Sequence, residues 1–288
     1  MSAHEGQPEF RSPPGGCDAH FHVFGPAQRY PCGPDLRYTP PLAPLANFLA
    51  LAEKLGVSRF VFVQPSADGR DNRCMLDAMR EVGKDHCRGI VDIDEDAPDA
   101  ELSRLDALGV RGVRINLSPV KPFESGFAPK LMPRIARLAG RCAEIGWQLD
   151  FLTPGWLTAD LMPTLRKLRL DFTLAHFGMF QAKEGVDQPG FRQLLELLRA
   201  GERRCWVKLT GVYRISSAAG FAEVAPVARA LMEAAPDRLI WGSDYPHLSF
   251  ADKVGTVQLW NLLGRWAPDE ATRRQILVDN PRKLFGFS

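Results

Sequence analysis

Eight short apolar runs, each followed by a stretch that fits a helix with one buried face, constrain this chain more than any other feature. The runs occupy residues 18–23, 59–64, 88–93, 112–116, 147–152, 172–176, 205–209 and 239–244. They are rich in Val, Ile, Phe and Trp and are flanked by Gly, Asp or Pro, the pattern of parallel strands buried on both faces. Between them, residues 46–55, 75–82, 100–108, 131–145, 222–234 and 270–277 read as helices. Phe191, Leu194, Leu195 and Leu198 fall at the i, i+3, i+4, i+7 positions of a further helix, with Gly201 to end it. Leu157, Leu161, Leu165 and Leu168 mark another stripe, and Pro163 predicts that its regular part lies late. Parallel strands need helical crossovers, so eight such units predict an α/β fold, the (β/α)8 TIM barrel. The pattern fills residues 15–288 as a single domain. Residues 1–14, polar and rich in Ser, Pro and Gly, read as a disordered leader.

Two connections exceed the minimal barrel, residues 24–44 and 117–129. Both follow strands and therefore rise from the face where barrels carry their chemistry; long loops there are expected to cover or bind.

Composition excludes several classes of function. The 288 residues are 45% hydrophobic and 24% charged, enough for a sizeable core. A net charge of +2 gives no reason to expect nucleic acid or an anionic membrane as partner. No apolar stretch is long enough to span a bilayer, and the first 14 residues lack the apolar segment of a secretory signal. Six cysteines without a Cys-x-x-Cys pair predict reduced thiols and a cytoplasmic protein.

The candidate chemistry lies at the ends of three runs. His20 and His22 are two apart in Cys17-Asp18-Ala19-His20-Phe21-His22, so on a strand both rings point the same way, into the barrel. His176 closes the sixth run, Asp244 closes the eighth, and His247 follows three residues later. In a barrel His20, His22, His176 and Asp244 converge, a ligand set suited to one divalent ion such as zinc. Arg114 shares a strand face with Gly112 and Asn116, opposite Val113 and Ile115, which turns it inward. There it could clamp a substrate carboxylate, or it could pair with a core acid, since a buried arginine needs a partner.

The chain resembles the amidohydrolase superfamily, and within it the 2-pyrone-4,6-dicarboxylate lactonase group. The likeness is carried by residues 17–26 (CDAHFHVFGP), 37–41 (RYTPP), 63–72 (VQPSADGRDN), 110–116 (VRGVRIN), 241–247 (WGSDYPH) and 279–287 (DNPRKLFGF). The resemblance implies hydrolysis of a small carboxylated lactone in aromatic or sugar-acid catabolism. Asp244 would be the general base for an attacking water, with His20, His22 and His176 polarising the carbonyl, directly or through a metal. It also implies that Arg114 and Arg214 hold substrate carboxylates and that Tyr38, Ser66 and His247 contact the substrate. The superfamily's binuclear members carry a lysine or glutamate on strand four and a histidine on strand five. Arg114 and Asp150 stand in those regions here, so the expectation is no required cofactor or a single ion. The match departs from the lactonase pattern where Lys121 replaces an arginine, where strand five ends without a tyrosine, and at Ser249, which replaces an asparagine. Two other reactions fit the same superfamily: a zinc-dependent decarboxylase of the 2-amino-3-carboxymuconate semialdehyde type, and a lactone isomerase.

Overall fold

The structure, a computed structural model, describes residues 6–33, 38–117, 127–200 and 204–288. Its eight strands lie in one sheet in chain order: β1 (Cys17–Phe21), β2 (Arg59–Val63), β3 (Cys87–Val91), β4 (Val110–Asn116), β5 (Gln148–Leu152), β6 (Phe172–Leu174), β7 (Cys205–Leu209) and β8 (Leu239–Trp241). Pairing is parallel from β1 to β3 and from β4 to β7. The intervening helices are α1 (Leu45–Leu55), α2 (Arg73–Val82), α3 (Asp99–Ala107), α4 (Phe127–Glu144), α5 (Gly155–Leu165), α6 (Pro189–Arg199) and α7 (Val224–Ala234). After β8 come α8 (Thr256–Trp266), α9 (Glu270–Arg274) and α10 (Asn280–Phe285). Strand order equal to chain order, with a helix in every connection, is the (β/α)8 barrel fold. The chain divides into two compact units, Met1–Arg111 with Ile240–Ser288, and Gly112–Leu239.

In the first unit, aromatic packing fixes which way β1 faces. Phe21 stacks on Phe48 of α1 with ring centroids 3.6 Å apart, and Phe60 of β2 meets Phe48 edge-on at 5.5 Å. The odd residues of β1 therefore face the helix, and Asp18 and His20 face the opposite way. Residues 6–14 do not behave as the expected leader. Phe10 stacks on Trp260 of α8 at 4.5 Å, the Trp260 indole N–H donates to the Phe10 carbonyl, and the Ser12 amide donates to Leu55 O at 2.8 Å. Average composition concealed one aromatic residue whose partner lies 250 residues away.

The second unit shows the same division of strand faces. Phe151 of β5 meets Phe172 of β6 edge-on at 6.0 Å, so Asp150 and Thr173 point to the other face. Helix α6 buries Phe191, Leu194, Leu195 and Leu198, as their spacing predicts; Gly201, expected to end it, lies outside the described residues, as does Lys121. Helix α5 buries Leu157, Leu161 and Leu165 but lies early in its stripe, at Gly155–Leu165. Pro163 sits in its last turn, where it removes the amide that would donate to the Ala159 carbonyl, and the helix stops two residues later. The helix expected at 270–277 is broken: α9 passes into a π-helical turn, Gln275–Asp279, before α10. The wider turn buries Ile276, Leu277 and Val278.

Candidate active site

Two strand ends of the first unit meet in a fully buried polar patch. Nε2 of His20 and Nε2 of His22 lie 3.5 and 3.6 Å from the same atom, Oδ1 of Asp244. His22 Nδ1 is 2.7 Å from Val63 O, which can only accept, so Nδ1 carries the proton and donates. In a neutral ring Nε2 then presents a lone pair toward a carboxylate oxygen. Two electron-rich atoms at that separation need positive charge beside them, a proton on the imidazole or a metal ion.

The local backbone explains how Asp244 reaches this position. β8 stops at Trp241, so Asp244 does not end a strand as its sequence context predicts; it sits in a turn with φ 55°. A left-handed backbone is uncommon outside glycine, and such residues cluster at functional sites. Gly242 makes the approach possible, because a Cβ there would stand 2.6 Å from His20 Cβ and 2.7 Å from its amide nitrogen. The Asp244 amide donates to His20 O and the His22 amide to Tyr245 O, both at 2.8 Å. His247, also left-handed at φ 61°, donates its amide to Asp244 O at 2.8 Å, and its Nε2 is 2.8 Å from Thr256 Oγ1 at the start of α8.

A second carboxylate lies behind this patch. Asp18 is buried and accepts from the amides of His20 and Ser243. Burial pushes its carboxyl up to about 7, against the opposing effect of those hydrogen bonds. In the same unit the described residues near the two ends of the 24–44 connection are held together. Phe24 and Ala43 form an antiparallel bridge and pack with Ala67 and Leu248, and Tyr38 and Tyr245 lie against them. The Ser66 hydroxyl donates to Tyr38 Oη at 3.4 Å. Beneath the connection is a cavity of about 330 Å³ lined in part by Phe24, Tyr30, Leu42 and Asp68.

In the second unit, His176 stands just past the end of β6 and opens a run of left-handed residues: φ is 51° at His176, 56° at Phe177, 69° at Gly178 and 62° at Met179. Its Nδ1 is 3.3 Å from Thr210 Oγ1. Gly211 packs so closely that a Cβ would stand 2.4 Å from that nitrogen. Arg114 is in register with Asp150 of β5, and its Nε lies 3.9 Å from Asp150 Oδ1. Thr173 donates to Asp150 Oδ2 at 2.7 Å, and the ammonium of Lys208, wholly buried in β7, rests on the same oxygen. Burial alone would raise the Asp150 carboxyl, but the charges of Lys208 and Arg114 and these hydrogen bonds outweigh it and hold it below the ordinary value. Arg214 ends the turn Val212–Arg214 partly exposed, its guanidinium 5.4 Å from the Tyr213 ring centre.

Of the sequence-derived residues, His20, His22, Asp244 and His247 thus form one cluster in the first unit, and Tyr38 and Ser66 form a pair there. The second unit holds His176, Arg114 and Arg214. Sequence reasoning missed Asp18, Ser243 and Thr256 in the first unit and Thr173, Lys208 and Thr210 in the second. Two signals were available. Asp18 has the same parity as His20 and His22, and Lys208 interrupts an otherwise apolar strand, Cys-Trp-Val-Lys-Leu.

A family model described as amidohydrolase matches residues 17–287. The chain is 38% identical over 281 residues to a 4-sulfomuconolactone hydrolase of Hydrogenophaga intermedia, covering 96% of this chain and 90% of that protein. It is 33% identical over 293 residues to a 2-pyrone-4,6-dicarboxylate hydrolase of Comamonas testosteroni, covering 98% and 94%. Among solved structures, an Agrobacterium tumefaciens protein crystallised in its apo form superposes with a TM-score of 0.86 at 29% identity, over 98% of this chain and 99% of that one.

Proposed function

We propose that this chain, which belongs to the amidohydrolase family, opens the ring of a small carboxylated lactone by hydrolysis. 2-Pyrone-4,6-dicarboxylate or a related diacid is the substrate class, and the cytoplasm, where six cysteines stay as free thiols, is the location. The observation that carries the reading is the buried Asp244 carboxylate, fixed in a left-handed turn beside two imidazoles.

In this reading Asp244 takes a proton from water as the water oxygen bonds to the lactone carbonyl carbon. The carbonyl π electrons move onto oxygen, and positive charge at His20, His22 and His176 stabilises that oxyanion. When the tetrahedral centre collapses, the ring C–O bond breaks and Asp244 returns its proton to the departing oxygen. Arg114 and Arg214 hold the substrate's acidic groups, and Tyr38, Ser66 and His247 orient it. His20, His22, His176 and Asp244 suit one divalent ion such as zinc, as the facing lone pairs of His22 and Asp244 suggest. Bound there, the ion would supply Lewis-acid charge toward the carbonyl; in an enzyme with no required cofactor, a protonated imidazole would supply the positive charge instead.

The test is a screen of carboxylated lactones for ring opening, with and without chelator, on the wild type and on Asp244→Asn. An amide cannot accept the water proton, so a folded Asp244→Asn protein should lose at least ~100-fold in turnover. Near-normal turnover would move the base elsewhere. Release of carbon dioxide that stops on chelation would point instead to decarboxylation.

A further inference from the structure

We infer that Asp18 is a positioning residue: its carboxylate, bonded to the His20 amide and to both the amide and the hydroxyl of Ser243, sets the separation and orientation of His20 and Asp244. The inference rests on the reading of Asp244 as general base. Asp18 Oδ1 accepts from the His20 amide at 3.1 Å and from the Ser243 amide at 3.0 Å. One atom therefore holds the backbone of one member of the pair and the residue adjoining the other. The Ser243 hydroxyl is also bonded to this carboxylate, and its oxygen accepts from the Tyr245 amide at 3.1 Å.

The segment after β8 is thus tied to β1 residue by residue. Ser243 binds Asp18, Asp244 binds His20 O, and Tyr245 O receives the His22 amide. The three attachments fall on alternate residues of the chain from 18 to 22, the face that carries the imidazoles. Two of them are main chain to main chain and would form with any residue. The third needs a side-chain acceptor at position 18. Asp244 is held at φ 55°, a conformation that non-glycine residues leave unless their surroundings determine it. Gly242, packed against the His20 backbone, limits one side of the turn, and Ser243 is the next point at which it is fixed. Without an acceptor at 18 the amides of His20 and Ser243 lose a buried partner, and the turn can relax away from the imidazoles.

The experiment compares Asp18→Ala with Asp18→Asn on the lactone that the wild type opens. Asparagine keeps an oxygen for both amides, and its NH2 can donate to Ser243 Oγ; alanine keeps neither. Asp18→Ala should lower kcat about 10- to 100-fold, the scale of an ångström of misplacement, and leave KM within about threefold, because the substrate-holding residues are untouched. Asp18→Asn should restore kcat to within about threefold of wild type. A wild-type kcat in Asp18→Ala overturns the inference, since Asp18 would then only brace a strand. An Asp18→Asn enzyme as slow as Asp18→Ala also overturns it, because charge rather than hydrogen bonding would be the requirement. If Asp18→Ala does not fold, Ser243→Ala decides. It keeps the backbone bond but loses the hydroxyl link, and should lower kcat about 3- to 10-fold at unchanged KM; an unchanged kcat refutes the inference. Asp244→Asn separates the two levels. If that variant is active, the reading of the base fails; if it is inactive while Asp18→Ala is normal, only the positioning role fails.

Discussion

Lys208→Met removes the ammonium that holds Asp150 ionised while keeping a side chain of similar length. Both partners are fully buried, so the variant strands a carboxylate in a dry interior. What remains is the Thr173 hydroxyl at 2.7 Å and Arg114, whose Nε at 3.9 Å is beyond hydrogen-bond reach. Breaking a buried pair by removing one partner costs about 3–5 kcal/mol. With an unfolding entropy of about 2.1 cal/mol/K per residue, a chain of 288 residues unfolds with about 0.6 kcal/mol/K, so Tm should fall by roughly 5–8 °C. Asp150→Asn added to Lys208→Met removes the stranded charge and should recover part of that loss. The double variant is then less damaged than the sum of the singles. The sign with pH also follows. A carboxyl held below its ordinary value contributes stability that is present above the ordinary carboxylate range and is lost as pH falls through its lowered folded value. The gap between wild type and Lys208→Met should therefore narrow in acid. Scanning calorimetry and urea unfolding of the three variants at neutral and acid pH measure all of this. A Tm drop under about 1 °C, or strict additivity of the two substitutions, refutes the reasoning.

Two further outcomes test the site. Arg114→Met should raise KM for a carboxylated lactone by roughly 10- to 150-fold, the equivalent of a charge-assisted hydrogen bond of about 1.5–3 kcal/mol, and should change KM for an uncharged lactone far less. Equal losses on both would mean that Arg114 orders the strand layer with Asp150 and recognises nothing. Elemental analysis should find no more than one tightly bound divalent ion per chain, because the described residues offer one His/Asp donor set and Arg114 occupies strand four; two bound ions would contradict this.

The fold was legible because a buried parallel strand leaves a continuous apolar run and a helix leaves a stripe. All eight strands begin within two residues of the start of their runs. β4, β5 and β7 also end with their runs, whereas others stop short, among them β6 at Leu174 and β8 at Trp241, where the chain turns left-handed to present His176 and Asp244. Apolar pattern cannot register that change of direction. Parity was informative only within strands. It turned Arg114 inward, where the structure sets it beside Asp150; Asp18 shares the parity of His20 and His22, and Lys208 interrupts an apolar strand. The order of residues 6–14 was not legible, because Phe10 is held by Trp260, a partner remote in the chain.

What sequence does retain of the turns is their glycines. Gly242 lies against His20 and Gly211 against His176, each where a Cβ would fall well inside contact distance. At Gly211 the strand exit lies against the His176 ring, and at Gly242 it lies against the backbone and Cβ of His20. The close approach limits where the His176 ring and the His20 main chain can sit, before any hydrogen bond is counted. At Gly242 the same contact brings Asp244 to the imidazoles two residues later. At Gly211 it sets His176 beside Thr210, whose hydroxyl lies at hydrogen-bond distance from Nδ1. Glycine at these two positions is a requirement of geometry at the proposed ligands, and Gly242 and Ser243 together explain why Trp-Gly-Ser-Asp reads as one motif. The glycine permits the approach, the serine is anchored on Asp18, and the aspartate is what they present.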